Sequence, residues 1–242
     1  MRFCAPNSDA EEQNDKQQTG VLEGIKLLYR YPYVLGIFAI SCVFEVVITI
    51  MDYEMKVLGK HAYPDTQDFA TFMGHFGQAV NLLSFVVSLF GSGIVFRLCG
   101  LRKVLMAFPL LVILAVTVVY FVPSLWVTFG AMIFLKALTY AINNPAKEML
   151  YSVTSPGVKF KAKSWIDVFG GRLAKAGGSA ITSALKSSIT MLLFYGSIVS
   201  VCIGGLLFVI ASFMGRKFEL LVETHVIVGD DGEDSAKESE QS

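Results

Sequence analysis

Apolar residues in this chain come in long unbroken runs rather than in the stripes or alternations of a water-soluble fold. Six runs stand out, at residues 33–51, 69–96, 104–121, 125–142, 166–185 and 190–214. Several reach the roughly 20 residues that carry a helix across a bilayer, so each is read as a spanning helix, the fifth being the least apolar. The segments between them, KVLGKHAYPDTQD, RLCGLRK, VPS and TSPGVKFKAK, are rich in Gly, Pro or charge, as turns are. A few polar residues around Lys186 join the last two runs. The pattern predicts an all-α integral membrane protein with six transmembrane helices within residues 23–218. A polar tail, 1–22, and an acidic tail, 219–242, are expected to be disordered.

Composition agrees: 54% of the 242 residues are hydrophobic and only 17% are charged, against about 25% charged in ordinary soluble domains. Net charge is zero, so the basic excess of nucleic-acid binders is absent and no nucleic-acid partner is expected. Cys4, Cys42, Cys99 and Cys202 show no CxxC spacing and no neighbouring His cluster, which argues against disulfides, a metal site or another cofactor. The first 22 residues lack the apolar core of a secretory signal.

The distribution of charge says more than its sum. Cytoplasmic loops retain Lys and Arg. With the N-terminus inside, one side carries Lys26, Arg30, Arg97, Arg102, Lys103, Lys159, Lys161, Lys163, Arg216 and Lys217, and the other Lys56, Lys60 and Lys186. Both termini are therefore expected on the cytoplasmic side of a multi-pass protein. Six spans with a short basic loop after the second correspond to one half of a twelve-helix, major-facilitator-like carrier, and equally to a six-helix protein in its own right.

Ionisable groups within the spans are expensive and face water or a partner. On the fourth run Lys136, Tyr140, Asn143 and Lys147 recur at spacings of four, three and four, a sector of about 60° on an ideal helix. On the fifth, Arg172, Lys175, Ser179, Thr182 and Lys186 share one face among Gly and Ala residues whose small size allows close helix approach. The first run contributes Ser41, Glu45, Thr49 and Asp52, and the second Thr71, His75 and Gln78. The third and sixth have no such stripe, which suits helices supporting a polar path from the lipid side. Basic stripes with hydroxyl and amide neighbours suit an anionic solute, because Lys and Arg bind phosphate through charge-assisted hydrogen bonds. Glu45 is either a proton-relay carboxylate or half of an ion pair. Lys147 and Glu148 reach the water at one mouth, and Asp167 begins the fifth span, where an acid suits the helix dipole. Pro145 is expected to loosen the helix locally. GxSxG, HExxH and Walker-type signatures are absent, and an enzyme is not expected.

Two stretches then carry a resemblance. NNPAKEMLY, followed after a short loop by KFKAKSWIDVFGGRLAKAGGSAI, resembles the ATP/ADP translocases of plastids and intracellular bacteria. In that family a KEMxY-like motif is followed by a helix of the form K-x-K-[AS]…[DE]-V…K-x-x-G, matched here by Lys161, Lys163, Ser164, Asp167, Val168, Lys175 and Gly178. The resemblance implies that residues 22–218 correspond to the second half of a twelve-helix carrier, with a second half or a homodimer as partner. It departs at the first run, where Glu45 is followed by VVITIMDYEMK rather than by the family's Trp-Lys pair. The resemblance implies nucleotide transport, most simply ATP/ADP exchange by alternating access. On that reading Lys136, Lys147, Arg172 and Lys175 neutralise phosphates, Tyr140 or Asn143 contacts base or sugar, and Glu45, Glu148 and Asp167 serve coupling or ion pairing. The alternatives are a carrier of another phosphorylated or anionic solute and a non-transporting half-subunit or fragment.

Overall fold

A computed structural model describes residues 24–229 apart from 91–95, 98–99 and 186–187. Residues 1–22 and 230–242, Lys186, Cys4 and Cys99, for which the sequence raised expectations, lie outside the described residues. The described residues are helical almost throughout: α1 (24–30), α2 (Pro32–Ala62), α3 (Thr66–Phe90), α4 (Leu101–Phe121), α5 (Leu125–Leu138), α6 (Asn144–Leu150), α7 (Pro156–Trp165), α8 (Gly171–Leu185) and α9 (Ile189–Glu223). Two π-helical turns, Thr139–Asn143 and Ile166–Gly170, splice α5 to α6 and α7 to α8.

Five of these helical stretches are long and apolar enough to cross a membrane: Pro32–Ala62, Thr66–Val87, Leu101–Phe121, Leu125–Val153 and Ile189–Glu223. The fifth expected span, 166–185, is helical, but Arg172, Lys175 and its many small residues leave it outside that set. Apolar runs also understate helix length. The first helix continues past Met51 to Ala62, and the last past Met214 to Glu223.

Ends form where backbone donors find local acceptors. Ser124 and Ser188 cap α5 and α9 by accepting from the Val127 and Met191 N–H groups. Asp65 caps α3, accepting from the N–H groups of Gln67 at 2.8 Å and Asp68 at 3.3 Å. Those bonds, that from Gln67 foremost, hold its carboxyl below the ordinary aspartate range.

Packing centres on α2, which lies against α9, α8 and α5, while α9 also runs along α4 in the most extensive pairing of the bundle. Val34, Ile37, Phe44, Val47, Met51 and Met55 of α2 are buried, and the Phe44 ring meets Phe108 of α4 edge-on at 4.7 Å. The two helices expected to act only as lipid-side supports thus supply much of the core. Their outer faces, with Leu110, Leu114 and Val118 on α4 and Leu206, Val209 and Phe213 on α9, are exposed and apolar, as a hydrocarbon environment favours.

Beyond α9 the chain turns back. Val228 donates to the Val153 carbonyl at 2.8 Å and accepts from the Ser155 N–H at 2.9 Å, a short parallel bridge onto the linker between α6 and α7.

Candidate functional site

Pro145 lacks the N–H that a regular helix would use at that position. The backbone accommodates it with the π turn Thr139–Asn143, in which the Asn144 N–H reaches back to the Thr139 carbonyl. A π turn widens the helix and alters which side chains share a face. The second, Ile166–Gly170, ends on the first glycine of the Gly170-Gly171 pair and meets α2, where the Cys42 thiol donates to the Gly170 carbonyl at 3.4 Å.

Between the two π turns lies a cavity of about 580 Å³, lined by Tyr140, Asn144, Pro145, Lys147, Glu148, Tyr151, Lys163 and Asp167. Tyr140 stands on the first turn and Asp167 on the second. The far wall is anchored by α2, whose buried Tyr33 hydroxyl donates to the Leu150 carbonyl at 2.9 Å. The volume lies in the range of small-ligand sites, about 300–1,000 Å³.

The lining brings together two cations and two carboxylates, so it is electrically balanced rather than basic. Lys163 of α7 is ion-paired with Glu148 of α6 across the cavity. Lys147 has no ion-pair partner among the described residues, which leaves its ammonium available to an anionic guest. Tyr140 and Tyr151 add aromatic surface, and Asn144 adds an amide.

The residues singled out in the sequence separate into three groups. Tyr140, Lys147, Glu148 and Asp167 line the cavity. Glu45 and Lys175 form a pair at 3.5 Å between α2 and α8, with the Lys175 side chain 65% exposed, and Arg172 is exposed on the same helix. Lys136 is half-buried on α5 outside the lining, and Asn143 is 5% exposed, its place in the cavity taken by Asn144. Sequence reasoning passed over Lys163 and Tyr151 as cavity residues. Lys163 stands in the sequence as a cation at the start of the fifth run and within the motif that carries the resemblance.

α8 is brought onto α2 by its small residues. Gly178 faces Thr49 so closely that a Cβ there would stand 2.8 Å from the Thr49 Cβ and 3.3 Å from the Val46 carbonyl oxygen. Ala174 and Thr182 bury beside it, one turn to either side.

Comparison with known proteins then gives a consistent answer. The family model described as TLC ATP/ADP transporter matches residues 1–127 and 123–222. Among similar curated proteins, ADP,ATP carrier protein 1 of Chlamydia trachomatis is 27% identical over 76% of this chain and 38% of its own length. ADP,ATP carrier protein 2, chloroplastic, of Arabidopsis thaliana is 25% identical over 82% of this chain and 34% of its own. The plastidic ATP/ADP-transporter of Solanum tuberosum is 28% identical over 86% of this chain and 36% of its own. The chain thus spans little more than a third of the length of the curated relatives it matches. No solved structure matches it.

Proposed function

The chain belongs to the TLC ATP/ADP transporter family, and we propose that it moves nucleotides across a membrane, most simply by ATP/ADP exchange through alternating access. One observation carries this reading: a ligand-sized cavity framed by two π turns, where the unpaired Lys147 faces Tyr140 and the Glu148–Lys163 pair. π turns inside helices concentrate at functional sites.

In this reading the phosphates meet Lys147 first. A second cation becomes available when the phosphate chain displaces Glu148 from Lys163, so the empty site rests neutral and the loaded one stays nearly so. Such exchange limits the cost of holding charge within the membrane and keeps binding reversible. Tyr140 or Tyr151 offers a ring for the base to stack on. Arg172, Lys175 and Lys136 stand away from the cavity and serve nucleotide passage in another arrangement of the helices, with Glu45 holding Lys175 in this one. Asn143 packs rather than binds.

The wider architecture follows the same proposal. Residues 166–185 form a sixth membrane-crossing segment covered by a partner, either a second transporter half or another copy of this chain. The bundle is one half of a major-facilitator-like carrier, with both termini on the cytoplasmic side.

Equilibrium binding of labelled ATP to the purified chain tests the site directly. Charge-assisted hydrogen bonds contribute about 1.5–3 kcal/mol each, so Lys147→Gln is expected to weaken binding by about 10- to 150-fold. Equal affinity in wild type and variant would remove Lys147 from the site. Uptake of labelled ATP into cells expressing the chain, with and without internal ADP, separates exchange from one-way import.

A further inference from the structure

The least expected side chain in the bundle is Glu54. It is 0% exposed, and neither carboxyl oxygen has a hydrogen-bond partner among the described residues. It lies 21 positions along α2 from Tyr33, about 30 Å at 1.5 Å per residue, and so at the end of the bundle opposite the cavity. Its Oε1 rests on Gly196 of α9, where any Cβ would overlap it. On the same stretch of α9, Ser197 and Ser200 are also buried with hydroxyls that find no partner among the described residues.

The titratable groups described on neighbouring elements have other partners or are exposed. Asp52 and Lys56 pair with each other, and Lys60 lies over the Phe69 ring. His61, His75 and Tyr195 are exposed. The Tyr120 ring packs on Phe121 and Phe194, and Lys175 of α8 holds Glu45. Among the described residues no cation meets Glu54, and in such surroundings an ionised carboxyl would give up water without receiving anything in return, whereas a neutral carboxyl tolerates the place.

We propose that Glu54 is a proton-binding site. It carries a proton while α2 and α9 are packed together at Gly196. When that contact opens to water the carboxyl O–H bond breaks, the electron pair stays on the carboxylate and the proton passes to water. Rebinding of the proton is required before α2 and α9 close again, which ties closure of this end of the bundle to proton uptake. The site stands on the buried group and its packing, independently of which solute the cavity takes.

Infrared spectroscopy of the full chain in lipid nanodiscs, with side-chain ¹³C-glutamate, tests it. At neutral pH the expected result is a carboxylic-acid C=O band that shifts with the label, disappears in Glu54→Gln and persists at pH values where water-exposed glutamates are ionised. Absence of a label-sensitive acid band in wild type overturns the proposal, as does a band that survives Glu54→Gln unchanged. If Glu54→Gln does not insert, Glu54→Asp replaces it: the band must then leave the ¹³C-glutamate spectrum and appear in the ¹³C-aspartate one. A band remaining with glutamate contradicts the assignment.

Discussion

Gly178→Ala adds one methyl group at the closest approach of α8 to α2. That methyl would stand 2.8 Å from the Thr49 Cβ and 2.9 Å from its Cγ2, against about 3.5–4.0 Å for comfortable carbon contacts. Thr49 has little freedom to yield, because its hydroxyl donates to the Glu45 carbonyl at 2.8 Å and its β-branch restricts rotation. The Val46 carbonyl at 3.3 Å belongs to the α2 backbone and cannot turn aside. The helices must separate by somewhat less than 1 Å, and overpacking of this kind costs about 1–3 kcal/mol. Gly177, one residue earlier, has nothing within 4 Å of its notional Cβ, so Gly177→Ala should gain about 0.5–1 kcal/mol of helix propensity. Gly178→Ala shares that gain, so reversible unfolding in mixed micelles, followed by circular dichroism, should separate the two variants by the overpacking cost alone, about 1–3 kcal/mol. Gly178→Ala as stable as Gly177→Ala would show that α8 does not lie on α2 in this register, and would take the Glu45–Lys175 pair down with it.

Three further expectations concern single groups. Glu148→Gln frees Lys163 from a pair whose side chains are 39% and 51% exposed; exposed pairs contribute about 0.2–1 kcal/mol, so nucleotide binding should tighten by no more than about fivefold, and weaker binding would refute the displacement of Glu148. Tyr33→Phe leaves the Leu150 carbonyl without its buried donor and should destabilise the fold by about 1–3 kcal/mol, read by the same unfolding assay; an unchanged midpoint would contradict that anchor. Asp65 has a carboxyl held below its unfolded value of about 3.9, so its capping contribution is complete above that value and is lost as pH falls through the lower folded one. The gap in thermal stability between wild type and Asp65→Ala should hold steady near neutrality and close in acid; a gap that widens in acid reverses the sign and refutes it.

Long apolar runs made most of the helices legible, because in a bilayer continuous hydrophobicity is itself the folding signal. Helix ends were less legible. The apolar run stops at Met51, yet α2 continues to Ala62 and turns Glu54 inward, a buried carboxyl that the run itself does not announce. The cavity was legible in part. Spacing points to Tyr140 and Lys147, the place of Glu148 at one mouth to that residue, and the start of a helix to Asp167. Asn143 lies outside the cavity lining: the spacing assumes a regular helix, whereas a π turn precedes Pro145, with Asn143 buried and Asn144 on the cavity. Pro145 marked where the helix would yield, but not how. Nothing comparable announces the second π turn, whose Gly170 carbonyl accepts from the Cys42 thiol, distant in sequence. Lys163 was hidden for a different reason: it is an ordinary loop cation until folding sets α7 opposite α6.

The bridge between Val228 and the 153–155 linker also orders events in time. The linker between α6 and α7 leaves the ribosome about 75 residues before the segment that pins it, roughly 4–15 s at ordinary rates of synthesis. Through that interval α5 to α8 must wait in the membrane with one wall of the cavity unfastened. Completion of the cavity is therefore a late step in biogenesis, reached only once the last helix has been made.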